Sequence, residues 1–213
     1  LKGKVNCEDI LEKTYSNSSL NNFEKNKFKN LLGERYPKFD EMFEEASIET
    51  NIEKNLLAAI SFQESQWDPK AKSNMGVRGM MMVTLETAAL VGVEKRLNPE
   101  QNIKGGAKYF AMLQEKNKIG PTDPDKLSIT LASYNLGPTN IFNIANSIDK
   151  EIENVSWVEI SEQLKTIKGS ELNLTDKDNY TRGQQAIDYV DRVKNYYQLL
   201  SAHSCICLLY TSP

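Results

Sequence analysis

With 213 residues, 39% of them hydrophobic, the chain is long enough to bury a core of its own as one good-sized domain with an appendage. A net charge of -3 spread over 26% charged residues argues against a nucleic-acid protein, which would show a basic stripe. No run of about 18 apolar residues exists to span a membrane, and the opening LKGKVN has neither an initiating Met nor the apolar core of a signal peptide, so a fragment or a processed form is expected.

Helix signals dominate along the chain and strand signals are scarce. Residues 1–20, with CEDILEKTYSNSS, read as a short polar helix followed by a Ser/Asn linker, and are expected to be the end of something else. Residues 22–32 carry Phe23, Phe28, Leu31 and Leu32 at moderately helical spacing. Pro37 is placed to open the next helix, which holds Phe39, Met42 and Phe43 and ends near Ile48. The most apolar helix is expected over 52–66. Gly76 and Gly79 then mark a tight connection, with at most a minor hairpin over 77–83. Thr84 can cap a short helix through Leu90 that Gly92 stops. NPEQ at 98–101 combines an Asn N-cap, Pro at the first helical position and Gln at the third, a capping-box start for a helix running to about Asn117. DPD at 123–125 repeats that logic for a helix ending near Gly137, and Pro138 starts another short one. SWVE at 156–159 is a further capping box. After NLTDKDN the final long helix carries Ala186, Tyr189, Val190, Val193 and Tyr197 at 3.6-type spacing. Eight or nine helices with short links predict an all-α globular domain over 21–200.

The cysteines are Cys7, Cys205 and Cys207. An odd count with no metal-like spacing predicts neither a disulfide framework nor, with His203 as the one histidine, a metal site. SAHSCICLLYTSP, over 201–213, breaks the pattern of the helix before it and is expected to be a frayed or non-native tail.

Within the apolar helix, Leu57, Ile60 and Glu64 share one stripe at 3.6 residues per turn. If Leu57 and Ile60 face the core, Glu64 stands at its edge. Desolvation there disfavours the charged carboxylate, and a Glu that keeps its proton can serve as a general acid. The spacing equally allows a helix-end Glu paired with an arginine such as Arg78. The flanking segments add to the picture. KSNMGVRGMMMVT at 72–84 offers glycines that let backbone approach a ligand and methionines that are either soft walls or ordinary core. LASYNLG at 131–137 puts Tyr134 and Asn135 at a helix end, where Asn could also be a simple cap, and Tyr189 in the last helix needs a hydrogen-bond partner if buried.

Taken in order, ESQWDPKAKS, GVRGMMMVT, LASYNLG and the late YV resemble the lytic transglycosylases with the soluble-lytic-transglycosylase (SLT) domain, which are related in fold to goose-type lysozyme. The likeness covers roughly 23–200, and it is nearest to the membrane-bound F branch, whose middle motif also reads as a methionine triplet. It implies a lysozyme-like all-α fold and an exotransglycosylase-type lyase acting on peptidoglycan glycan strands. Glu64 matches the single catalytic acid/base. Ser73 matches a cleft serine that contacts substrate. Gly79, Met80 and Met82 lie in the stretch that lines the sugar groove, with Met82 where many relatives have Gln. Tyr134 and Asn135 match a Tyr-Asn pair, Asn135 being the one expected to touch the acetamido sugar. Tyr189 matches the Tyr that hydrogen-bonds the catalytic carboxyl. Gln185 departs from a Glu often seen four residues before that Tyr. In that branch a solute-binding-like regulatory domain comes first, and ILEKTY near the start resembles its last helix.

The implied reaction is non-hydrolytic cleavage of the MurNAc-β-1,4-GlcNAc bond to a 1,6-anhydromuramyl end. One carboxyl then does the work for which ordinary glycosidases use two. Asp68 is expected to be a turn residue, because Pro69 pushes the residue before it out of helical geometry. No metal, no organic cofactor and no nucleic acid are expected, the chain is expected to be a monomer, and the setting is periplasmic, with the outer membrane reached through a longer protein. The competing readings are a muramidase of the same fold and a non-catalytic peptidoglycan-binding module.

Overall fold

The computed structural model describes residues 6–74, 76–166 and 182–211. Among them are ten α-helices and no strand; the expected hairpin is reduced to isolated bridges between Lys72 and Arg78 and between Arg78 and Val83. The chain forms two compact units, 1–107 together with 192–213, and 108–191.

In the first unit, α1 (Cys7–Asn17) is followed by α2 (Asn22–Glu34). The start of α2 is a complete capping box: Asn21 Oδ1 accepts from the Glu24 N–H and Glu24 Oε2 accepts from the Asn21 N–H, both at 2.9 Å. Pro37 does not open the next helix as expected. It sits in a separate 3-10 turn, Tyr36–Lys38, and α3 (Asp40–Thr50) begins after it. A proline at N1 suits either kind of helix start, so its position alone does not say which follows. α4 (Lys54–Ser65) is buried without interruption from Leu56 to Phe62. A helix apolar on all sides has to run through a core, and this one does. Phe28 packs against Phe62, Tyr196 and Trp67 with ring centroids 5.0, 5.3 and 6.0 Å away. α5 (Leu85–Val91) is bounded as the sequence indicates, by the Thr84 hydroxyl accepting from the Thr87 N–H and by Gly92 at φ 78°. At the start of α6 (Pro99–Lys116) only half of the expected box forms. Asn98 Oδ1 accepts from the Gln101 N–H, but Gln101 Oε1 instead accepts from the N–H groups of Glu94 and Lys95, tying the helix to the loop before it.

In the second unit, α7 (Asp123–Leu136), α8 (Pro138–Asn146) and α9 (Trp157–Thr166) pack on one another. Thr122 caps α7, and Ser156 with Glu159 makes the reciprocal box that opens α9. Asp125 Oδ1 accepts from the Trp157 N–H at 2.9 Å, joining the two helix starts. Phe110, Ile129, Leu131, Ile141, Ile160 and Leu164 are fully buried. The NLTDKDN segment, expected to precede the last helix, lies outside the described residues; the helix itself, α10, is Arg182–Thr211.

One expectation about the chain ends is corrected, and α10 runs to Thr211, through most of the stretch 201–213 that was expected to be a frayed or non-native tail. Cys7 and Cys205 form a disulfide across a sequence separation of 198. Counting cysteines cannot reveal which of them helix packing brings together, here to a Cα–Cα distance of 5.6 Å. Around that bond, the Tyr15 hydroxyl meets His203 Nε2 at 3.0 Å, and Ser18 Oγ donates to Asn195 Oδ1 at 2.7 Å.

Candidate active site

Glu64 lies on the last turn of α4 and is half-buried. Directly after it the chain reverses through two consecutive left-handed residues, Gln66 at φ 54° and Trp67 at φ 56°. Non-glycine residues in this region are strained by about 1 kcal/mol or more each and persist only where their surroundings hold them. Here the Trp67 ring is fully buried and its Nε1 donates to the Ala58 carbonyl at 2.9 Å, while Arg35 Nη1 donates to the Gln66 carbonyl at 3.1 Å. Asp68 is the turn residue its proline neighbour indicates: its Oδ1 accepts from the Lys70 N–H at 2.9 Å.

Residues 72–74 and 76–83 form a compact turn against α4. Ser61 Oγ and Ser65 Oγ, one on each side of Glu64 along the helix, both donate to the Met80 carbonyl, at 2.9 and 2.7 Å. Gly79 has φ 84°, and a Cβ there would run into the Arg96 carbonyl and the Asn102 side chain, so only glycine fits. Met80 and Met81 are fully buried. Of the methionine triplet only Met82, at φ 49°, keeps side-chain surface, so Met80 fills the core and offers the site its backbone. Ser73 is half-buried at the start of the turn, its N–H donating to the Val77 carbonyl.

Tyr134, Asn135 and Tyr189 belong to the second unit. Tyr134 and Asn135 end α7 and are both half-buried. The Tyr134 ring rests on Tyr109 and Phe110 with centroids 5.6 and 6.1 Å apart. Burial pushes the Tyr109 phenol above its ordinary pKa. Gly137, at φ 93°, ends the helix, and Asn140 Nδ2 donates back to the Leu136 carbonyl at 2.8 Å. The capping role that Asn135 could have had therefore belongs to its neighbours. Tyr189 is buried in α10, with 5% of its surface exposed.

The structure adds residues that sequence reasoning passed over. Asn102 is completely buried. Its Oδ1 accepts from the Met81 N–H at 2.7 Å, and its Nδ2 donates to the carbonyls of Arg78 and Arg96 at 2.9 and 2.8 Å. Arg96 Nη1 in turn donates to the carbonyls of Gly76 and Val83 at 2.6 and 3.1 Å. A signal for Asn102 did exist: it stands on the apolar stripe of α6 with Gly106 and Ile103, where an unsatisfied amide would be costly. Gly106 is small for a reason of the same kind, since a Cβ there would come within 2.6 Å of the Met81 side chain.

A family model described as the transglycosylase SLT domain matches residues 41–156. Membrane-bound lytic murein transglycosylase F 1 of Alkalilimnicola ehrlichii is 37% identical over 174 residues, covering 81% of this chain and 35% of that relative. Membrane-bound lytic murein transglycosylase F of Aeromonas hydrophila is 40% identical over 167 residues, with 77% and 33% covered. The chain thus spans about a third of the length of these relatives. Two solved structures share the fold: the lytic transglycosylase Slt of Pseudomonas aeruginosa, with TM-score 0.53 at 19% identity, and the soluble lytic transglycosylase of Escherichia coli, with TM-score 0.52 at 23%. Each match covers 76% of this chain and 24% of the other. That likeness carries the lysozyme-like helical architecture. Because the family model spans more than half of the 213 residues and the relatives match over most of the chain, the protein belongs to the transglycosylase SLT domain family.

Proposed function

We propose that the domain is a peptidoglycan lytic transglycosylase in which Glu64 alone is acid and base. Protonated Glu64 gives its proton to the glycosidic oxygen between N-acetylmuramic acid and N-acetylglucosamine as the C1–O bond breaks through an oxocarbenium-like transition state. The carboxylate so formed takes the proton of the muramyl C6 hydroxyl, whose oxygen closes on C1. The product is a 1,6-anhydromuramyl end, and Glu64 regains its starting state. In this reading Ser73 and Met82, the member of the methionine triplet that keeps side-chain surface, contact the sugars in the first unit, and the roles of Tyr134, Asn135 and Tyr189 in the second unit rest on the resemblance of their motifs alone.

The observation that carries the reading is the setting of Glu64. It rides on the last turn of a buried helix, between two serines anchored to the Met80 carbonyl, while the nearby carboxylate of Asp68 is engaged with the Lys70 N–H as part of a turn. This supports a reading in which Glu64 serves as both acid and base, whereas a hydrolase would use two carboxyls at a set separation. The relatives' names, membrane-bound and murein, support a periplasmic setting for the whole protein. Among the described residues no helix is long and apolar enough to cross a membrane.

Digestion of purified peptidoglycan, followed by mass spectrometry of the muropeptides, tests this. Wild type is expected to release anhydro-muropeptides, and Glu64→Gln to lower the rate by about 10²–10⁴-fold, the usual worth of a general acid. Products with free reducing ends would show a muramidase instead. Binding without any product would show a peptidoglycan-binding module.

A further inference from the structure

Phe23, on the first turn of α2, leaves 74% of its surface exposed. It stands at the edge of a pocket of about 270 Å³ within the first unit, lined also by Lys27 of α2, Gln63 and Gln66 at the end of α4, and Arg192 and Tyr196 of α10. This is a different face of α4 from the one that carries Glu64. Phe62, which closes the pocket floor, precedes Glu64 by two residues and so points roughly 200° round the helix from it.

The lining has three chemical properties. Tyr196 is 5% exposed, its ring fixed by Phe62 and Phe28 at 4.6 and 5.3 Å, yet its hydroxyl makes no hydrogen bond among the described residues. The ring is buried, but the hydroxyl is not sealed off and opens on the pocket, where a ligand group could meet it. The side-chain amides of Gln63 and Gln66 likewise engage no protein group among the described residues. Three neutral groups, each able to donate and to accept, therefore border one small space. Of the charges beside them, Arg192 Nε pairs with Glu24 at 3.3 Å, while Lys27 Nζ, over the Phe23 ring at 5.9 Å, keeps its charge. Burial pushes the Tyr196 phenol up to about 12, with Glu24 adding to the rise, so the hydroxyl stays a donor across the working pH range. A flat apolar platform beside neutral hydrogen-bonding groups suits a ligand with one C–H face and several hydroxyl or amide groups. An anion would find one uncancelled cation, and a cation would find no free carboxylate.

We propose that this pocket is a second saccharide-binding site, which seats one neutral acetamido-sugar unit of a glycan strand on Phe23 and hydrogen-bonds it through Tyr196, Gln63 and Gln66. The hydroxyl-rich, neutral character of the ligand follows from the lining; the acetamido assignment rests on the peptidoglycan reading above. The site would hold a strand on the body of the domain independently of the residues that cleave it.

The test is an NMR titration of the full chain in a Glu64→Gln background, with chitotetraose as the probe and maltotetraose as its acetamido-free counterpart. Chitotetraose is expected to shift the side-chain amide signals of Gln63 and Gln66. Phe23→Ala, at an exposed position, and Tyr196→Phe, which keeps the ring, should each weaken that response by about tenfold, the worth of one aromatic contact or one hydrogen bond. Shifts at Asn135, which report the proposed cleavage site, should be the same in both variants. Absence of any shift at Gln63 and Gln66, an undiminished response in both variants, or an equal response to maltotetraose overturns the proposal. If Gln63 and Gln66 respond as expected while Asn135 does not, the second site stands and the peptidoglycan-cleaving reading falls.

Discussion

The turn over 72–83 and the corner between α7 and α8 both carry candidate site residues, and they are held in different ways. The corner is local. Gly137 ends α7, Pro138 begins α8, and the Leu136 carbonyl is satisfied by Asn140, four residues on. The turn depends on distant partners. Its Met81 N–H and Arg78 carbonyl are met by Asn102, its Gly76 and Val83 carbonyls by Arg96, and its Met80 carbonyl by Ser61 and Ser65. Both contain a glycine at positive φ, but a Cβ on Gly137 would meet nothing closer than Asn140 Nδ2 at 3.8 Å, whereas on Gly79 it would collide with the Arg96 carbonyl and Asn102. A locally held element can absorb a substitution within its own few residues. A tertiary turn transmits it to every segment that it joins, here including the end of α4.

Paired substitutions sharpen the comparison. Gly79→Ala should cost about 4 kcal/mol, because backbone strain adds to a collision that no flexible side chain can relieve, and urea unfolding will measure it. Asn102→Ala should cost about 3 kcal/mol by the same assay, since it leaves one N–H and two carbonyls buried without their amide. Gly137→Ala, strained but uncrowded, should cost about 2 kcal/mol. Asn140→Ala should cost about 1 kcal/mol, the usual net worth of one part-buried hydrogen bond. If the order of the two glycines were reversed, the distinction between the regions would be broken. Activity should separate them too, with the two turn variants losing turnover beyond their loss of folded protein.

The smallest expected effect is one of pH. The Glu159 carboxyl that opens α9 is held down at about 2, first by the ion pair with Lys150 and then by the Ser156 N–H and hydroxyl. A depressed folded-state value means that the contribution is complete above the unfolded value of about 4.5 and is lost as pH falls toward 2. The group is exposed, so the change will be modest and will shrink with added salt. Acid titration of wild type and Glu159→Gln should converge at the low end of that window and diverge above it.

Much of the helical plan was legible because helix starts and stops are written within about one turn. Thr84 with Gly92, Ser156 with Glu159, and Gly137 with Pro138 act where their order in the chain places them. Where a residue could satisfy two neighbours, the local rule went astray. Gln101 turned from its own N-cap to the loop at Glu94 and Lys95, and Pro37 went into a turn of its own. The candidate site was legible as ordered motifs, with Glu64 at the end of the apolar helix and Asp68 held in a turn. That Met80 lies in the core, with only its carbonyl serving α4, could not be read from a run of three methionines.

By itself, the sequence determined the all-helical class, most of the helix starts and stops, and the residues eligible for chemistry, because periodicity and capping are short-range effects that each segment carries with it. Tertiary structure alone decided the partners of Asn102, the anchoring of the Met80 carbonyl and the pairing of Cys7 with Cys205. A buried polar group takes whichever partner packing brings within about 3 Å, and Met81 and Asn102, 21 residues apart, meet only once α6 has docked against the turn.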